Sequence, residues 1–112
     1  MVTTVDDRTN PKLAEVVRRL VDEFKPDRIY LFGSRARGDA SDDSDFDILM
    51  VVPHSTDRMV QRMAMARDVV SEIKLPTEII VHTRDQFDRQ ASVVTSLAAT
   101  VIREGRLHYA SD

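Results

Sequence analysis

The sequence predicts a small α/β domain, a mixed sheet with helices chiefly on one face. Two patterns predict it. Residues 29–32, 48–52 and 77–81 are short apolar runs rich in β-forming side chains, and the stretches around them repeat apolar residues at helical spacing. Length adds a bound, since 112 residues can bury one core and not two. Residues 1–9 are polar and aperiodic, so a flexible tail is expected there, followed by a single domain over 10–112.

Asn10 and Pro11 start the first helix, with Asn as cap and Pro at the first helical position. Leu13, Val16, Val17, Leu20, Val21 and Phe24 form its apolar stripe. Pro26 forces Lys25 out of helical angles and leads into the first strand. After Pro53, residues 56–74 carry Met59, Met63, Ala66, Val70 and Ile73 on one helical face, with the methionines as flexible core filler. Thr83 and Gln86 have capping-box spacing for a last helix whose stripe includes Val93, Val94, Leu97, Ala98, Val101 and Ile102. Gly105 stops that helix and an extended tail follows. Sheet order cannot be read from these patterns.

The chemistry concentrates in residues 32–47, FGSRARGDASDDSDFD. With a strand beginning near Asp45, Asp45 and Asp47 share one face while Phe46 and Ile48 take the other. Two such carboxylates repel unless a cation neutralises them, and hard oxygen donors suit Mg²⁺ or Mn²⁺. Upstream, Gly33 permits close backbone approach, and Ser34 is placed to cap a short helix whose free N–H groups favour an anion. Arg35 and Arg37 are the best basic residues for a triphosphate, because guanidinium grips phosphate in two-pronged fashion. Asp39, Asp42 and Asp43 are expected to face solvent. The bland alternative is a solvated acidic turn between two strands.

Rival motifs fail on the same residues. A calcium loop begun at Asp43 would need Gly where Ile48 stands and Glu where His54 stands. The aspartyl-phosphatase pattern puts its strand before the aspartates and Thr or Val where Leu49 stands. Neither a P-loop nor a dinucleotide fingerprint occurs. His54, His82 and His108 lack metal-ligand spacing and are read as non-catalytic.

Net charge of −3 and a pI near 5.6 argue against direct nucleic-acid binding, which needs clustered cations. No cysteine, no apolar stretch of membrane-spanning length and no amino-terminal signal pattern are found, so no membrane association and a cytoplasmic location are expected.

Gly33 and Ser34, ten intervening residues, and then Asp45, Phe46 and Asp47 heading an apolar strand resemble the nucleotidyltransferase superfamily typified by DNA polymerase beta. The wording GSRARG followed by SDFDILMVV resembles its smallest branch, the minimal nucleotidyltransferases paired with HEPN-domain proteins, and the resemblance spans nearly the whole chain. It implies the polymerase beta-like fold, ATP as substrate, and transfer of AMP to a hydroxyl with release of pyrophosphate. A third acid on the neighbouring strand would bind metal and help take the acceptor proton; Glu78 matches that position, where the family more commonly shows Asp. It further implies an antitoxin that modifies a HEPN ribonuclease toxin. The larger relatives carry an acceptor-gripping domain that is absent here, so another molecule is expected to present the hydroxyl. Two alternatives stay open: a non-catalytic nucleotide-binding module acting by occlusion, and a transferase acting on a small, aminoglycoside-like molecule.

Overall fold

The computed structural model describes residues 2–4, 10–38 and 44–111, with side chains described from residue 10 onward. In chain order the elements are β1 Val2–Thr4, α1 Pro11–Phe24, β2 Arg28–Phe32, α2 Ser34–Arg37, β3 Phe46–Val52, α3 Met59–Val69, β4 Thr77–Thr83, α4 Arg84–Ala91, α5 Leu97–Glu104 and β5 Arg106–Ser111. Among the described residues the sheet runs β1-β5-β2-β3-β4. Only β3 and β4 pair in parallel, because α3 carries the chain back between them; the other pairings are antiparallel.

Local chemistry sets the boundaries. The Asn10 carboxamide oxygen accepts from the amides of Lys12 and Leu13, and Pro11 opens α1 without an N–H to satisfy. The Thr83 hydroxyl accepts from the Gln86 amide, which turns β4 directly into α4. The expected single last helix is two: the chain breaks after Ala91, and Ser96 starts α5 by accepting from the Ala99 amide. Ser92, Thr95 and Ser96 offer such local bonds in competition with helix, and Ser96 takes the cap.

Strand alternation sends side chains to both faces, and helices cover both. Ile29, Leu31, Phe46, Ile48, Met50, Ile79 and Val81 pack with α1 and α3, while Tyr30, Leu49 and Val51 pack with Phe87 of α4 and Ala98 and Val101 of α5. The longer helices, α1 and α3, share one face, and the shorter α4 and α5 cover the other. The near-continuous apolar run of β3, buried on both sides, already carried the sign of it.

The two ends of the chain also differ from expectation. Residues 2–4, read as part of a tail, pair with β5, and 106–111, read as an extended tail, lie between β1 and β2. Residues 5–9 lie outside the described residues. In β5, Tyr109 faces Ile29 and Leu107 faces Tyr30, so His108 is an extra, bulged residue. The bulge sends Tyr109 into one core and Leu107 into the other.

Helix α3 is shorter than predicted and its methionines are not its core. Met59 and Met65 are exposed, and Arg62, Ala66 and the following Val70 are buried. The Arg62 guanidinium donates to the carbonyls of Asp57 and Val81 and to the Gln86 side chain, which satisfies a buried cation without a carboxylate.

Candidate nucleotidyl-transfer site

Sheet register assembles the site. Asp47 pairs with Phe32 of β2 on one side and with Glu78 of β4 on the other, so the residue preceding Gly33, the second aspartate and the third acid form one row across three strands. Asp45 lies just before β3, in line with Asp47 by strand alternation. The amide of Phe46 donates to the Pro76 carbonyl at 2.9 Å, which ties the start of β3 to the chain leading into Glu78. Asp47 faces away from Phe46 and Ile48, as expected.

The carboxylates feel one another. Asp47 is partly buried and its carboxyl is pushed up, first by loss of water and then by the negative charges of Glu78 and Asp45; Arg37 opposes the shift. Among the described residues no three acidic, histidine or cysteine side chains close into a formed metal cluster. The donor set nevertheless fits a hard divalent cation, which would relieve the repulsion that raises Asp47.

Gly33 occupies the tightest point. Its φ is +74°, which favours glycine, and a Cβ there would lie 2.3 Å from Oδ2 of Asp47. Gly33, rather than Ser34, takes the N-cap position of α2; Ser34 is its first residue, and the Gly33 carbonyl accepts from the amides of Ala36 and Arg37 at 3.1 Å. Gly38, also at positive φ, closes the turn by donating to the Ser34 carbonyl.

The two arginines separate. Arg37 is close enough to lower the Asp47 carboxyl, whereas Arg35 donates twice to the Ser44 carbonyl, at 3.1 and 2.8 Å, and lies 4.3 Å over the Phe46 ring. Phe46 points to the α1 and α3 face, opposite Asp47. Arg35 thus holds Ser44 on the far side of the sheet from the carboxylates. Asp39, Asp42 and Asp43 lie outside the described residues. A residue missed on sequence is Arg67 of α3, which lines a cavity of about 300 Å³ with Asp45 and Glu78. Its place five residues after a buried arginine gave no pattern to find it by.

A glycine-serine turn between two antiparallel strands, paired aspartates at the head of the second, and an acid beside them on a parallel neighbour make up the arrangement of a nucleotidyltransferase. The chain belongs to the nucleotidyltransferase domain family, whose model matches residues 12–108. Among solved structures, a protein of Sulfolobus solfataricus assigned as a nucleotidyltransferase is 33% identical, with a TM-score of 0.58 and 70% of each chain covered. The crystal structure of a tyrosine-to-alanine mutant of the toxin–antitoxin MntA–HpeT is 25% identical, with a TM-score of 0.62, covering 89% of this chain and 73% of that one. No curated protein sequence matches the chain significantly. The fold is accordingly the polymerase beta-like nucleotidyltransferase fold.

Proposed function

We propose that this chain transfers AMP from ATP to a hydroxyl of a partner protein, releasing pyrophosphate, and that it serves as the antitoxin that modifies a HEPN ribonuclease toxin. The observation that carries the chemistry is the row Phe32, Asp47, Glu78, with Gly33 against the Asp47 carboxylate. Likeness to a toxin–antitoxin structure over most of the chain supports the partner.

Asp45, Asp47 and Glu78 would hold Mg²⁺ or Mn²⁺, which when bound supplies charge neutralisation at the triphosphate. The Gly33 and Ser34 turn receives the phosphates, and Arg37, beside Asp47, balances their charge. Glu78 stands on the flank away from that turn, where it accepts the proton of the acceptor hydroxyl. Arg35 acts indirectly, by holding Ser44 and Phe46 and hence the start of β3.

The test is incubation with ATP labelled at the α-phosphate, in the presence of a co-expressed HEPN-domain partner. Label is expected on the partner with the wild-type chain and not with Asp47→Asn. A partner that is neutralised without label would establish occlusion instead. Label on an aminoglycoside with no protein present would move the substrate to small molecules.

A further inference from the structure

The flank of Glu78 away from Gly33 carries a cavity that extends from the acids toward α3. It lies between α3 and β4, is lined by Asp45, Met63, Arg67, Thr77, Glu78 and Ile79, and has a volume of about 300 Å³. Among the described residues β4 is the edge strand of the sheet, and no further strand bounds this side. Met63 and Arg67 are four residues apart and share one face of α3. Arg67 is exposed and, among the described residues, forms no hydrogen bond or ion pair.

Position relative to Asp47 assigns the cavity a side. The row across the strands runs Phe32, Asp47, Glu78, and the phosphate-binding turn follows Phe32. A triphosphate on that turn occupies one flank of Asp47, which leaves the cavity to the molecule that attacks. Resting on the nucleotidyl-transfer reading above, we propose that this cavity receives the acceptor as a peptide segment, and that Arg67 recognises a carboxylate next to the acceptor hydroxyl. In the reaction the hydroxyl oxygen bonds to the α-phosphorus, the bond from that phosphorus to the bridging oxygen breaks, and its electron pair leaves with pyrophosphate. The acceptor proton passes to Glu78.

Charge and shape select an acidic peptide over nucleic acid. One guanidinium faces the cavity beside two carboxylates, Asp45 and Glu78. A single carboxylate on the acceptor is matched by that guanidinium in two-pronged fashion, whereas a nucleic-acid strand would bring several phosphates to one cation. Met63 and Ile79 give an apolar wall for the peptide side chain.

The experiment measures fluorescence anisotropy of synthetic peptides, each with one hydroxyl residue flanked by either glutamates or lysines, bound to the chain loaded with Mg²⁺ and a non-hydrolysable ATP analogue. Wild type is expected to bind the glutamate peptide about tenfold or more tightly than the lysine peptide. Arg67→Glu reverses that order and Arg67→Ala removes it, while affinity for the ATP analogue stays the same in all three. The proposal is overturned if wild type binds neither peptide, if Arg67→Glu keeps the glutamate preference, or if Arg67→Ala weakens the ATP analogue as Arg37→Ala does. Tighter binding of an RNA oligonucleotide, lost in Arg67→Ala, overturns it too. A wild-type chain that fails to bind the ATP analogue at all marks failure of the nucleotidyl-transfer reading instead.

Discussion

Gly33 and Asp47 share one volume: a Cβ on the glycine would lie 2.3 Å from Oδ2 of the aspartate, well inside contact distance. Backbone and carboxylate have been brought together by the pairing of Phe32 with Asp47, so the turn and the acid are one unit. Any side chain at 33 must move the acid.

Gly33→Ala is therefore expected to lose transfer activity by ~10²-fold or more, since small misplacement of a reacting group has that effect, and to lose stability besides. Gly38→Ala is the control. It also has positive φ, at +86°, yet among the described residues nothing lies within 4 Å of its added Cβ. It should cost only the conformational strain, about 1–2 kcal/mol, with activity per folded molecule retained. Urea denaturation alongside label transfer separates the two, and equal activity in both variants would refute the close approach as the reason for glycine at 33.

Asp47 is held in a site that disfavours its charge, through lost water and the proximity of Glu78 and Asp45. Asp47→Asn removes the repulsion along with the function. Transfer should fall ~10²–10³-fold or more, as when a charge-stabilising group is deleted, while the melting temperature stays at or above wild type. Asp45→Asn should likewise lose transfer with the fold intact. A melting temperature well below wild type for Asp47→Asn would show that the carboxylate supports the fold and was misread as strained.

The separation of Arg35 from Arg37 gives opposite phenotypes. Arg37→Ala should raise the KM for ATP by roughly tenfold, the loss of one charged hydrogen bond, with stability little changed because Arg37 is exposed. Arg35→Ala should cost about 1–2 kcal/mol of stability through its bonds to the Ser44 carbonyl and its stacking on Phe46. If KM for ATP rose more in Arg35→Ala than in Arg37→Ala, the assignment of the two faces would be reversed.

What was legible in the sequence followed local rules. Asn10 with Pro11, Thr83 with Gln86, and the alternation that turns Asp47 away from Phe46 are decided by neighbours a few residues apart. What was not legible depended on pairing at a distance. The bulge at His108 and the interior place of β5 are set by pairing with β2, some 80 residues away in the chain. Arg35 and Arg37 carry the same chemistry in sequence, and only the four-residue helix α2 sends one to each face of the sheet. The methionines of α3 looked like core by spacing, but Arg62 took the buried place because the Val81 and Asp57 carbonyls were there to receive it.

His82 gives the pH dependence. It is buried near Phe87, its Nδ1 has no hydrogen-bond partner among the described residues, and burial together with the charge of Arg62 holds its pKa below the ordinary 6.5. The unfolded chain takes up a proton at 82 as pH falls through 6.5, and the folded chain does so only at lower pH. Stability from this residue is thus complete above 6.5 and is lost as pH falls below it toward the folded pKa. Urea midpoints measured on both sides of that value should fall on acidification, and the fall should be smaller in His82→Gln, whose side chain does not titrate. An equal fall in the two proteins would assign the acid sensitivity to other groups.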